Sequence, residues 1–308
     1  MSEKPDWQAR SNSLFSEGRT EEAEALLEAI GTAARTSGDR TTEIAAFREL
    51  GIRLLRSGRA HQALTPFEYA RRTAEDLADA GLQADALFWL GRAHMGASDA
   101  RTAVTFFLRA ATLREENPPL LPKLGEALLY LGLAAAKCED FRSAITANQK
   151  GLAWASESAR KDLAAAFSFN LGLDYFEIRE FEKAANWFLN AQHTYEDLKQ
   201  PKEAAHALYF AGRAHLDGGE LEKAREAFSQ ALLESHKTGD LENQGYCYTG
   251  LAQTSMRRGD NWTAIGQFDN ARIAFRDLND VERSITCYKW MEAAQAGWKR
   301  PKIPPSRR

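Results

Sequence analysis

One phrase recurs along the whole chain and constrains its fold more than any other feature. It has the form Ala-x-x-x-Phe-x-x-Ala, seen as Ala63, Phe67 and Ala70, then Ala103, Phe107 and Ala110. It returns as Ala184, Phe188 and Ala191, as Ala224, Phe228 and Ala231, and as Ala264, Phe268 and Ala271. Weaker copies are Ala23, Leu27, Ile30 and Ala144, Asn148, Gly151. Successive first alanines are 40, 40, 41, 40, 40 and 40 residues apart. A fixed period of this length marks a chain built from stacked supersecondary units.

A second phrase precedes each copy. It reads Phe47, Leu50, Gly51 and Leu54 in the second repeat, and Leu87, Leu90, Gly91 and His94 in the third. The series continues with Leu128, Leu131, Gly132, Ala135, with Ser168, Leu171, Gly172, Tyr175, and with Leu208, Ala211, Gly212, His215. The seventh copy is Tyr248, Leu251, Ala252, Ser255, and the first is degenerate: Trp7, Arg10, Ser11, Leu14. Spacings of three, four and seven put residues on one face of an α-helix. Each period is therefore a pair of helices. The small residue in the first lets the second approach, and the phenylalanine fills the gap between neighbouring repeats. Turn signals such as Ser57-Gly58-Arg59, Asp217-Gly218-Gly219 and Arg258-Gly259-Asp260 separate the helices. Glycine just past a helix end supplies a left-handed cap.

These residues resemble the tetratricopeptide repeat family, whose W-x-x-L-G-x-x-Y … A-x-x-x-F-x-x-A pattern they follow over about residues 7–278. The period resembles the forty-residue variety found in bacterial peptide-sensing regulators and animal spindle-orientation adaptors. The resemblance implies an all-α, right-handed superhelical solenoid of about seven helix pairs. Repeats are expected near 4–37, 44–77, 84–117, 125–158, 165–198, 205–238 and 245–278, within a repeat domain of residues 1–297. A capping helix is expected at 280–297, where Glu292 and Gln295 replace the small and apolar signature residues. A basic, proline-containing tail, 298–308, is expected to be extended and mobile. Asn117-Pro118-Pro119 and Pro122 interrupt the link between the third and fourth repeats. They are read either as a local adjustment or as a hinge between sub-arrays.

In this family ligands usually meet the second, fifth, sixth, ninth and twelfth or thirteenth positions of each first helix, on the concave side. Carried onto this chain, the resemblance selects Arg48, Phe88, Arg92, Leu129, Leu133, Phe169, Asn170, Leu173, Tyr209 and Arg213. Trp89, Tyr130 and Phe210 stand at the sixth position, where packing on a neighbouring helix and exposure to a ligand are equally open. The implied groove is apolar and aromatic through repeats three to six, with arginines toward its ends. It suits an amphipathic segment with acidic residues near Arg48, Arg92 and Arg213. The family's carboxylate clamp of lysines and asparagines is not assembled.

Composition narrows the function classes. The net charge is −3, and Lys299, Arg300, Lys302, Arg307 and Arg308 put five positive charges in the last ten residues, so the rest carries −8. An acidic body lacks the basic face a duplex nucleic-acid binder needs. No apolar run approaches the ~20 residues that span a bilayer, and Met1 to Arg10 has no signal core, so a cytoplasmic protein is expected. Cys138, Cys247 and Cys287 lie far apart, as free thiols in a reducing compartment do. No metal-ligand spacing, phosphate loop or nucleophile motif is present, so neither cofactor nor catalysis is expected. His94 and His215 occupy a packing position. The expectation is a non-enzymatic scaffold or adaptor that holds a protein or peptide segment, with self-association left open. The alternative is a regulator whose superhelix changes conformation on binding a signalling peptide.

Overall fold

The computed structural model describes residues 6–297. The expected tail, 298–308, lies outside the described residues. Among those described there are fifteen α-helices and no strand. They fall into two compact units, Met1–Ser158 and Ala159–Arg308. The first holds α1 (Asp6–Ser16), α2 (Thr20–Ser37), α3 (Arg40–Arg56), α4 (Ala60–Asp76), α5 (Ala80–Gly96), α6 (Ala100–Glu116), α7 (Leu124–Lys137) and α8 (Phe141–Glu157). The second holds α9 (Lys161–Glu177), α10 (Phe181–Asp197), α11 (Pro201–Asp217), α12 (Leu221–Thr238), α13 (Leu241–Arg257), α14 (Asn261–Asp277) and α15 (Val281–Gly297). Odd-numbered helices are the first of each pair. Within a unit each helix packs on the next, and first helices also touch one another, α3 with α5, α5 with α7, and α11 with α13.

The two sequence phrases meet as physical partners. A Cβ placed on Gly51 would lie 2.5 Å from the Phe67 ring, and one on Gly172 would lie 2.6 Å from Phe188. Gly91 with Phe107 and Gly212 with Phe228 repeat the arrangement. The first helix thus gives up a side chain so that a fully buried ring can press against its backbone. Each ring contributes about 2–3 kcal/mol of burial.

Helix ends follow a common rule. One or two residues past nearly every helix the chain enters the left-handed region: at Gly58 (φ 76°), Gly219 (φ 84°) and Gly259 (φ 81°), but also at Ala78 (φ 53°), Ala159 (φ 53°) and Arg179 (φ 63°). The backbone imposes the turn whether or not glycine is present. At Asp217-Gly218-Gly219 only the second glycine takes the positive φ. Helix α6 is the exception. Asn117 is extended (φ −118°, ψ 97°) because the following Pro118 disfavours the helical region.

The proline link forms a short 3-10 helix, Pro118–Lys123, pinned within the first unit. The Trp154 indole N–H donates to the Leu121 carbonyl at 3.0 Å. Arg114 donates to the Lys123 carbonyl at 2.7 Å and to Asp85 Oδ1 at 3.1 Å. The ring of Trp154 fills the space opposite Gly125. The boundary between the compact units falls forty residues later, not at this link.

Helix α15 departs from the expected polar cap. Glu292 and Gln295 are exposed, but so are Val281, Ile285 and Tyr288, at 66%, 50% and 52%. These three put an apolar stripe on the outward side of the helix, edged by the exposed Glu282 and Lys289.

A candidate binding face on the first helices

The sixth-position aromatics are packing residues. Trp89 stacks on Phe67 at 5.9 Å between ring centroids, and Tyr130 on Phe107 at 5.5 Å. Phe210 leans on Phe188 at 5.4 Å, and Trp290 stacks on Phe268 at 6.1 Å. These four signature phenylalanines, Phe67, Phe107, Phe188 and Phe268, are therefore wedged between the glycine or alanine of their own pair and a ring from the next. The signal lay in the sequence: these rings follow a signature phenylalanine by 22 or 23 residues.

In the first unit, Arg48 is half-buried on α3, and Leu129 and Leu133 lie on α7 with Leu133 the more exposed. Arg92 lies over the Tyr130 ring at 4.5 Å and the Trp89 ring at 5.4 Å, a cation on an aromatic ledge. Phe88 is a correction to the sequence reading. It is 5% exposed, set edge-on to Phe107 and Tyr130, with the Arg114 guanidinium 5.0 Å from its ring. It lies beneath the face and offers a ligand almost nothing.

In the second unit, Phe169 is half-buried, edge-on to Phe188 and Phe210 at 5.3 Å each. Asn170 and Leu173 are half-buried beside it on α9, Leu173 against the core around Phe188. Tyr209 and Arg213 instead line a cavity of about 520 Å³, walled by α11, α13 and α15. Leu216, Met256 and Trp290 supply apolar surface, and Gly250 supplies bare backbone where α5, α7, α11 and α15 carry a ring. The Phe228 ring lies against that glycine, 2.6 Å from where a Cβ would be.

The cavity's charge is simple. Arg257 donates to Asp217 Oδ1 at 2.9 Å and to the Leu216 carbonyl, so these two charges cancel. Burial pushes the Tyr209 phenol up to about 12, with Arg213 opposing, so it stays neutral. Thr249 spends its hydroxyl proton on the Gly245 carbonyl at 2.9 Å. Arg213, 5.3 Å from the Phe176 ring, has no acidic partner among the described residues and is the uncompensated cation. Gln253 adds an amide. Sequence reading reached Tyr209 and Arg213, and Gln253 as a ninth position, but not Gly250, Arg257 and Trp290. The glycine breaking the sixth-position series was the available clue.

No group of three His, Cys, Asp or Glu side chains that could hold a metal occurs among the described residues. His94 and His215 bond the acids that begin their own second helices, Asp99 at 3.2 Å and Glu220 at 2.7 Å. Cys247 is fully buried, and burial raises its thiol pKa. No described helix is long and apolar enough to cross a membrane.

Comparison with known proteins agrees with this geometry. A family model described as tetratricopeptide repeat matches residues 205–234, which cover most of α11 and α12. The chain is similar to a signal transduction ATPase with numerous domains and a tetratricopeptide repeat sensor from Pyrococcus horikoshii. That likeness has 17% identity and a TM-score of 0.72, over 94% of this chain and 42% of that one. The chain thus spans less than half of the ATPase. It is similar to aspartyl phosphate phosphatase F from Bacillus subtilis at 15% identity and TM-score 0.58, over 99% of this chain and 88% of that one. It is also similar to a Rap protein complexed with competence and sporulation factor, at 14% identity and TM-score 0.53, over 96% and 88%.

Proposed function

We propose that this chain, a tetratricopeptide-repeat protein by its fold and by the repeat matched at 205–234, is a non-enzymatic scaffold that holds a protein or peptide segment. The observation that carries the reading is the cavity on the first helices of the second unit. It combines one uncompensated guanidinium, a neutral phenol and an apolar wall in a space of about 520 Å³. An aromatic or large aliphatic side chain fits the wall, and a carboxylate near it pairs with Arg213. Arg92 on its aromatic ledge gives the first unit a weaker feature of the same kind. The Rap protein's complex with a factor supports a peptide-sensing variant of this reading, in which the bound segment alters conformation.

The test is selection of a random dodecapeptide library, displayed on phage, against the full chain. Enriched peptides should carry an acidic residue beside an aromatic or aliphatic one. Arg213→Glu should weaken them at least about tenfold, the effect of inverting one charge-assisted contact. Arg225→Glu, on α12 and away from the cavity, should leave them unchanged. Equal loss in both variants, or no enrichment, overturns the reading.

A further inference from the structure

Helix α15 stands where every earlier first helix is covered by its own second helix. The position of Ile285 is held by Gly245, Ala205 and Ala165 in α13, α11 and α9, all buried. Gly245, for example, is met by the Phe275 ring of α14. The position of Tyr288 is held by the half-buried Tyr248 in α13, and by Leu208 and Ser168 in α11 and α9, which are 5% and 0% exposed. In α15 isoleucine replaces the glycine and alanines of the first position, and both positions are open, at 50% and 52%. Its opposite face is buried through Cys287 and Ala294.

At about 100° per residue, Val281, Ile285 and Tyr288 form one stripe on the exposed side. Glu282 and Lys289 both lie along the same edge of that stripe. Neither takes part in an ion pair among the described residues. We propose that α15 is the contact surface of a homodimer, with two copies of the helix packed antiparallel about a two-fold axis. One register satisfies the three apolar side chains of the stripe, which Glu292 ends one turn beyond Tyr288. Centred near Ile285, it places Ile285 on its own counterpart and Val281 against Tyr288 of the second copy. The two-fold keeps the charged edges together, so Glu282 of each copy lies beside Lys289 of the other. Charge and apolar matching thus agree in a single isologous arrangement, which is what self-recognition requires. This inference does not rest on the peptide-binding reading.

Sedimentation velocity on the full chain over a concentration series tests it. The wild type should sediment as twice the chain mass at high concentration. Glu282→Lys and Lys289→Glu each turn two attractive contacts into repulsive ones and should weaken the dimer about tenfold. The double variant E282K/K289E restores opposite charges and should recover the wild-type constant. Ile285→Glu should give a monomer. All three positions are exposed, so circular dichroism should report the same helix content throughout. A wild type that stays monomeric, or a dimer whose strength ignores all three substitutions, overturns the proposal. So does failure of the double variant to recover.

Discussion

The close approach of each first helix to a buried ring predicts that one substitution, glycine to alanine, has opposite signs at two sites. Gly172 lies mid-helix in α9, and an added Cβ would stand 2.6 Å from the Phe188 ring. Real Cβ atoms do not approach so closely, and Phe188 is wholly buried with Phe169 and Phe210 against it. Overpacking of this sort costs about 1–3 kcal/mol. Alanine's better helix propensity returns up to about 1 kcal/mol. The net for Gly172→Ala is a loss of about 1–2 kcal/mol. Gly266 is mid-helix in α14, exposed, with nothing within 4 Å of its Cβ site. There the propensity acts alone, and Gly266→Ala should gain about 0.5–1 kcal/mol. Urea denaturation followed by circular dichroism reads both as shifts of the midpoint. If Gly172→Ala stabilises as Gly266→Ala does, the wedge of ring against bare backbone is not what holds these pairs together.

Other predictions follow from single contacts. Gly219→Ala places a side chain at φ 84° and should cost about 1 kcal/mol, whereas Ala78→Gly relieves a strained φ of 53° and should gain about 0.5 kcal/mol; thermal melts compare them. Asp85→Ala leaves the almost fully buried Arg114 charge unpaired beside the proline link. It should cost about 3 kcal/mol, the low end for a broken buried pair because Asp85 keeps some solvent. Its urea midpoint measures this. Burial works to raise the Glu43 carboxyl pKa, but bonds from Arg35 at 2.8 Å and Arg40 at 3.1 Å outweigh it and hold the group below its ordinary 4.5. A depressed folded value means the stabilisation is complete above the unfolded value and is lost as pH falls through the folded one. Wild type should therefore lose stability below about pH 4.5 more steeply than Glu43→Gln, as melts across an acid series would show.

The repeat made the helices and their pairing legible because its two phrases encode one contact, glycine against phenylalanine, written out at a constant spacing. The turns were legible only in part. Glycines marked some, but Ala159 and Arg179 adopt the same left-handed turn, because closure of each helix end by backbone bonds overrides the residue's preference. Family positions brought Tyr209 and Arg213 to a cavity but misplaced Phe88. Its burial depends on Arg114, which comes in from α6 and lies over its ring. The cavity itself was hidden because it arises from an absence, the side chain missing at Gly250, and from Trp290 of a helix expected only to cap the array. Periodicity identifies what recurs. The departures at Gly250 and along Val281, Ile285 and Tyr288 require coordinates to show which space they leave open.

The central claim is that the first-helix face of the second unit holds a segment of a partner. Hydrogen–deuterium exchange of the full chain, with and without a saturating selected dodecapeptide, tests it most directly. Exchange should slow in α11, α13 and α15 around Tyr209, Arg213, Gln253 and Trp290, and should not slow in the Arg213→Glu variant. Protection confined to α10, α12 and α14, or protection that Arg213→Glu leaves intact, would contradict it.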